Sequence, residues 1–192
     1  MGAIRIGKLP KEMDIDFWSL WDIRPGEARS KVMVYDRQSK SHVEKTIFRT
    51  YMSYLRTPEF DGDVEKSYMF VNKSDSVPPI LEPFVRFAKG IDPRYNQMVV
   101  NWYNSSDHIE LHRDCTSGMI SGDSPILTVN LNETDNIYSA RSFIMVDVET
   151  GEASSILLLD KTYFVINNNQ THRHAVGYGT EKRISLTFRM MK

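Results

Sequence analysis

The second half of the chain is a succession of short runs rich in β-forming residues, separated by Asn, Asp, Gly and Ser. Eight such runs follow one another with no helical pattern between them. They span residues 98–103, 109–112, 126–131, 142–148, 155–159, 162–166, 173–176 and 183–188. Short strands without intervening helices form a sandwich, barrel or jelly roll rather than a parallel α/β sheet. The sequence therefore predicts a mainly β fold.

Helical signals are confined to the first half of the chain. Residues 13–22 carry apolar side chains at helical spacing, and Pro25 lies just beyond them. Residues 80–89 predict a second helix that ends at Gly90. Residues 31–54 fit neither the helical nor the strand period. We therefore expect N-terminal α elements packed against a β core.

Length and composition favour one globular domain. The 192 residues are 41% hydrophobic and 26% charged, which suffices for a sizeable core. We predict a single domain over 1–192, with helices and a substrate-facing extension in 1–94 and the β core in 95–192. The lone cysteine, Cys115, excludes an internal disulfide and a cysteine-based zinc site. We expect a monomer.

The sequence shows no feature of a membrane or secreted protein. No apolar run reaches the roughly 20 residues that cross a bilayer, and residues 1–10 lack the apolar stretch of a secretory signal. We therefore expect no membrane association and an intracellular location, in the cytoplasm or nucleus.

Charge is unevenly distributed along the chain. The net charge of −1 excludes a globally basic nucleic-acid binder. Residues 24–56 nevertheless hold eight Lys and Arg against three Asp and Glu, whereas residues 101–171 hold ten acidic residues and three basic ones. The basic segment is either a solvated face or a surface that contacts phosphates.

Histidines and an aspartate offer a metal site. His112 and Asp114 stand two apart in a strand-like run, so their side chains point to the same side. A third ligand comes from the segment of His172 and His174; we favour His174 and keep His172 as the alternative. Two histidines and one carboxylate leave open positions on an octahedral ion, which suits non-haem Fe(II) activating dioxygen. Zinc accepts the same ligands.

The last strand, Arg183–Arg189, alternates strictly between apolar and polar residues. Its two arginines share the polar face, and guanidinium groups bind carboxylates in bidentate fashion. The strand thus predicts a site for a small dianion and favours iron over zinc; arginines that keep an edge strand soluble are the alternative. Asn101 and Tyr103 form another same-face pair suited to orienting a neutralised carboxylate.

Together these segments resemble the AlkB family of Fe(II)- and 2-oxoglutarate-dependent dioxygenases. The resemblance covers about residues 95–189. It is carried by Asn101-Trp102-Tyr103, His112-Arg113-Asp114, Ser124-Pro125-Ile126, Arg141-Ser142-Phe143, His174-Ala175-Val176 and Arg183–Arg189. The resemblance implies a double-stranded β-helix (jelly roll) core, which agrees with the eight strands predicted from the pattern alone.

The resemblance also implies roles for individual residues. The implied Fe(II) ligands are His112, Asp114 and His174. The residues implied to hold the distal carboxylate of 2-oxoglutarate are Asn101, Tyr103 and Arg183, with Arg189 near its metal-chelating end. The implied reaction couples decarboxylation of 2-oxoglutarate by O2 to hydroxylation of an N-methyl group, which leaves as formaldehyde beside succinate and CO2.

The expected substrate is a methylated base, of the 1-methyladenine or 3-methylcytosine type, in single-stranded or flipped-base DNA or RNA. Thr116 stands where many DNA-repairing members carry an acidic residue, unless Cys115 or Asp123 takes that place. Asn104 follows Tyr103 where the family has a glycine. Thr116 and the near-neutral charge favour the alternative, a hydroxylase or demethylase of a protein side chain or small molecule. A catalytically silent binding module is disfavoured because every ligand position is filled.

Overall fold

The computed structural model describes residues 4–26, 29–36, 38–56, 68–70, 72–114, 116, 118–167 and 170–192. Cys115 lies outside these residues.

The described residues of the N-terminal part form six strands and two α-helices. They are β1 (Ile4–Lys8), α1 (Phe17–Asp22), β2 (Lys31–Asp36), β3 (Ser41–Thr46), β4 (Thr50–Leu55), β5 (Tyr68–Phe70), β6 (Lys73–Ser74) and α2 (Glu82–Ile91), with a 3-10 turn at Pro79–Leu81. The C-terminal part is built of strands: β7 (Gln97–Tyr103), β8 (Ile109–His112), β9 (Ile126–Asn132), β10 (Ser142–Asp147), β11 (Ala153–Leu157), β12 (Thr162–Ile166), β13 (His172–Val176) and β14 (Arg183–Arg189).

All eight predicted C-terminal strands are confirmed, with ends that differ by two residues at most. The first helix is shorter than predicted because the Asp16 side chain caps it and accepts a hydrogen bond from the Trp18 N–H at 3.1 Å. The second helix continues through Gly90 to Ile91. Residues 31–54, which the sequence left open, form strands, so this part of the chain has more strand than expected.

The eight C-terminal strands divide between two sheets and pair with one another only in antiparallel fashion. The large sheet has the order β1-β12-β9-β14-β7-β4-β6, and the small sheet the order β11-β10-β13-β8. Strands β7 to β14 thus contribute four members to each sheet, which is the jelly-roll arrangement. A third sheet, β3-β2-β5, belongs to the N-terminal part. The protein is mainly β with a jelly-roll core.

The central strands of the large sheet, β7, β9 and β14, are buried on both faces, and the two faces differ in chemistry. One face packs its apolar side chains, such as Trp102 and Leu186, with Leu20 of α1 and Phe84 of α2. The other face carries polar side chains at alternate positions of β7, β9 and β14, and these are also buried. A row of buried polar side chains inside the jelly roll is therefore available for a site.

The described residues include no helix long and apolar enough to cross a membrane.

Candidate active site

Three potential metal ligands converge on neighbouring strands of the small sheet. His112 ends β8 and lies opposite His174 of β13, with their ring centroids 4.4 Å apart. Asp114 follows β8, and its two carboxylate oxygens lie 3.9 Å from His112 Nε2 and 3.9 Å from His174 Nε2. The candidate ligand atoms of all three residues lie within 4.8 Å of one another. These side chains can hold one metal ion.

The local environment prepares these groups for a cation. His112 Nδ1 lies 2.7 Å from the Glu110 carbonyl oxygen, so it carries the hydrogen and leaves the Nε2 lone pair free. Burial lowers the pKa of His174 to about 4, which keeps this imidazole neutral at neutral pH.

The Asp114 carboxylate is held in its ionised form. Burial by itself favours the protonated acid, but the charge of Arg189 and the neighbouring imidazoles outweigh it and hold the pKa of Asp114 far below its usual range. An ionised carboxylate beside two imidazole nitrogens is the combination that binds a divalent cation.

The structure places the other histidine of β13 elsewhere. His172 lies opposite Asp147 of β10, and its Nε2 is 3.6 Å from Asp147 Oδ2. Its Nδ1 lies 2.8 Å from Thr171 Oγ1. Of the two histidines that the sequence offered, His174 is the one beside Asp114.

The predicted carboxylate-binding residues lie side by side on the polar face of the large sheet. Arg183 pairs with Tyr103 in the β14–β7 ladder, and Asn101 pairs with Ser185 two positions along. The Arg183 guanidinium carbon lies 4.8 Å from the centre of the Tyr103 ring. Its Nε donates a hydrogen bond to Asn130 Oδ1.

Arg183 is a buried cation with unused donor capacity. It is 2% exposed, its Nη1 has no hydrogen-bond partner, and no described carboxylate lies within ion-pair distance. Burial lowers the pKa of Arg183 accordingly. Because a buried guanidinium without a counter-charge is costly, the position fits the carboxylate of a bound anion.

Arg189 lies at the metal end of the same strand. Its Nη2 donates to Asp114 Oδ1 at 2.9 Å, while its buried Nε has no partner. Six residues of strand separate the Cα atoms of the two arginines by roughly 20 Å, so a small diacid reaches both only if the side chains lean inward.

Three polar residues of this region were not assigned a role from the sequence. Asn130 accepts from Arg183, and the alternation of residues 126–132 was the signal for it. Arg141 is buried and donates to the carbonyl oxygens of Gly177 at 3.2 Å and of Asn104, which ties the loop after β13 to the loop after β7. Arg49 donates from Nε to Asn101 Oδ1 at 2.7 Å. Burial lowers the pKa of Arg141 to about 10.

The loop that follows Asp114 carries the position at which many DNA-repairing members of the resembled family have an acidic residue. Thr116 is half-buried, and its carbonyl oxygen accepts a hydrogen bond from the Met119 N–H at 3.0 Å. Asp123 is exposed in a turn, where its N–H donates to Ser121 Oγ.

Known proteins resemble the chain in part of its sequence and in its shape. The chain matches no family model. Over 140 residues, or 70% of its length, it is 30% identical to the RNA-directed RNA polymerase of Lolium latent virus (isolate Lolium/USA/US1/-), and the match spans 8% of that protein. The structure of OsALKBH1 superposes with a TM-score of 0.47 and 16% identity, covering 74% of this chain and 78% of that one. The jelly-roll assignment rests on the strand order given above.

Proposed function

We propose that the protein is an Fe(II)- and 2-oxoglutarate-dependent oxidative demethylase of N-methylated bases in nucleic acid. The observation that carries the proposal is a cluster of two histidines and one aspartate on the small sheet, linked through the Arg189–Asp114 contact to the strand of the large sheet that holds a buried arginine without a described counter-charge. Three protein ligands leave positions open on the ion. The unpaired guanidinium supplies the binding energy for a second carboxylate.

The residues of the site would divide the work between binding and positioning. His112, Asp114 and His174 would hold Fe(II), which with 2-oxoglutarate and O2 supplies the oxidation of the N-methyl group. Arg183 would neutralise the distal carboxylate, and Asn101 and Tyr103 would orient it. Arg189 would keep Asp114 ionised and lie near the metal-chelating end of the cosubstrate. The two sheets would exclude water from the space between the metal ligands and Arg183.

A stack of rings on the surface supports a nucleic-acid substrate. The His108 ring lies 4.6 Å from Phe48 and 4.3 Å from Tyr178, centre to centre, and the Arg29 guanidinium lies 4.6 Å above Phe48. Tyr178 ends the stack and is 69% exposed. Aromatic faces with an adjacent arginine are what single-stranded nucleic acids use for base stacking.

Two further observations bear on the kind of nucleic acid. The sequence relative is named an RNA-directed RNA polymerase, which favours RNA over DNA as the substrate. Within the basic segment, Lys31 pairs with Glu44 at 2.6 Å and Arg29 lies 3.8 Å from Asp107, so part of its charge is already neutralised. We therefore expect stacking to contribute more to substrate binding than phosphate contacts.

The test is mass spectrometry of single-stranded RNA and DNA oligonucleotides that carry 1-methyladenine or 3-methylcytosine. They are incubated with protein, Fe(II), 2-oxoglutarate and oxygen, with the His174→Ala variant as control. We expect the wild type alone to remove the methyl mass, and RNA to react faster than DNA. Intact oligonucleotides with no succinate formed would refute the dioxygenase.

A protein side chain or a small molecule is the second candidate substrate. Thr116 favours it, because the neutral hydroxyl cannot accept a charge-assisted hydrogen bond from an exocyclic amine as a carboxylate does. Intact oligonucleotides together with conversion of 2-oxoglutarate to succinate would support this substrate class against the first.

A further inference from the structure

Arg49, from the N-terminal part of the chain, reaches the polar face of the large sheet. It directly precedes β4, whose pairing with β7 sets Thr50 opposite Trp102 and Tyr51 opposite Asn101. Continuing this register by one residue sets Arg49 opposite Tyr103. Tyr103 in turn pairs with Arg183. Since neighbouring strands lie about 4.8 Å apart, the two arginines flank the tyrosine on one face.

The contacts of Arg49 direct its side chain toward Asn101 on this polar face. Its Nε donates to Asn101 Oδ1 at 2.7 Å, which directs the Asn101 amide NH2 toward Ser185, 3.5 Å away. The Arg49 side chain makes no other hydrogen bond and no ion pair with a described residue. Its terminal nitrogens are therefore available to a ligand.

The positive charges of Arg49 and Arg183 have no described carboxylate as an ion-pair partner. Besides burial, the positive charge of Arg49 is one of the causes that lower the pKa of Arg183, so the two guanidinium groups repel each other. The carboxylate of the nearby loop, Asp107, already accepts from the Asn104 N–H at 2.7 Å and faces Arg29. An anion between Arg49 and Arg183 would remove this repulsion.

We propose that Arg49 is a second cationic ligand for the distal carboxylate of the cosubstrate, supplied from outside the jelly roll. The inference rests on the function proposed above and adds a residue to the same site. Arg49 holds the carbonyl oxygen of Asn101 with Nε and donates from its terminal nitrogens to the carboxylate that Arg183 binds from the other side. The pair of guanidinium groups makes the site selective for a dicarboxylate.

The experiment compares two ligands that differ in the distal carboxylate. Isothermal titration calorimetry with Mn(II) in place of Fe(II) measures Kd for 2-oxoglutarate and for 2-oxopentanoate, which lacks that group. The proteins are wild type, Arg49→Met, Arg49→Lys and, as a matched control, Lys45→Met, which removes an exposed cation from the same segment.

We expect Arg49→Met to weaken 2-oxoglutarate binding by about tenfold or more, the size of a charge-assisted hydrogen bond. Binding of 2-oxopentanoate should not change, so the preference for the diacid falls by the same factor. Arg49→Lys should recover part of that preference, and Lys45→Met should keep all of it. Should Arg49→Met fail to fold, Arg49→Gln takes its place.

Two results would overturn the inference. One is an unchanged preference for the diacid in Arg49→Met, with both ligands weakened alike, because that is the mark of a structural residue. The other is wild-type affinity in every Arg49 variant. If the wild-type protein with Mn(II) binds no 2-oxoglutarate at all, the proposed function itself fails, and the inference fails with it.

Discussion

The two histidines of β13 show how single contacts separate residues that look alike in sequence. His172 and His174 share one face of the strand, yet the first lies beside Asp147 and the second beside Asp114. The two aspartates differ in surroundings, since Asp114 also accepts from Arg189. The neighbouring side chains therefore decide which histidine joins the candidate metal ligands.

This difference predicts distinct outcomes for two matched substitutions. His174→Ala removes one of three ligands, so we expect it to lose stoichiometric metal and turnover. His172→Ala should retain both. Metal content of the purified proteins, measured by inductively coupled plasma mass spectrometry after Fe(II) loading, checks the prediction. Equal metal loss in both variants would contradict the assignment of His174.

A second residue-scale prediction concerns the buried cation of β14. Arg183→Met should weaken 2-oxoglutarate binding by about 2 to 5 kcal/mol, because a desolvated charge pair is lost. The metal cluster should be unaffected, since Arg183 lies at the far end of the strand. A thermal-shift titration with 2-oxoglutarate in the presence of Mn(II) measures the effect. An undiminished shift would exclude this role for Arg183.

At the scale of elements, β14 carries out two tasks with its two faces. Its apolar face packs into the core that includes both helices, through Ile184, Leu186 and Phe188. Its polar face carries Arg183, which contacts Asn130, and Arg189, which contacts Asp114. Period-two alternation makes this division inevitable once the strand is placed. The stability of the site therefore depends on packing behind the sheet.

The apolar face of β14 can be tested by a pair of leucine substitutions. Leu186→Ala should lower the free energy of unfolding by about 2 to 5 kcal/mol, because Leu186 is fully buried and the cavity cannot collapse completely. Leu157→Ala removes the same atoms from an exposed position of β11 and should change the free energy of unfolding by about 0.5 kcal/mol or less. Urea unfolding monitored by circular dichroism gives both values. Equal losses would show that the sheet is not packed as described.

The sequence predicts those elements whose pattern reflects their burial. The inner and outer faces of β14 and the limits of the C-terminal strands follow from alternation alone. The pattern fails for β3, which is exposed at almost every position and so has no buried face to reveal it. It also fails for Arg49, because its place depends on the pairing of β4 with β7, and that pairing joins distant segments. Local patterns carry no information on such register.

On the scale of the whole molecule, the exposed ring stack joins three distant parts of the chain. Arg29 and Phe48 come from the N-terminal part, His108 precedes β8, and Tyr178 follows β13. The same connection that places Phe48 in the stack places Arg49 beside Asn101. The N-terminal part therefore contributes both to the ring stack and to the polar face of the large sheet.

Two tyrosines provide a test of that surface. Tyr178→Ala should raise KM for a methylated RNA oligonucleotide by about fivefold or more, since stacking on one base is worth about 1 to 3 kcal/mol. KM for 2-oxoglutarate should not change. Tyr138→Ala, at a position that is 92% exposed and outside the stack, serves as the control. Equal KM values for both variants would contradict a role of the ring stack in substrate binding.

The position of β8 at the edge of the small sheet has a consequence for how the protein opens. This four-residue strand pairs in the described structure with β13 alone, and its ladder shifts register between His174 and Val176. Short edge strands fray at lower cost than central ones. An ion bound to His112 and His174 would cross-link β8 to its neighbour β13 and so raise the cost of fraying. We therefore expect metal to slow amide hydrogen exchange in β8 while β11, at the opposite edge, exchanges as before.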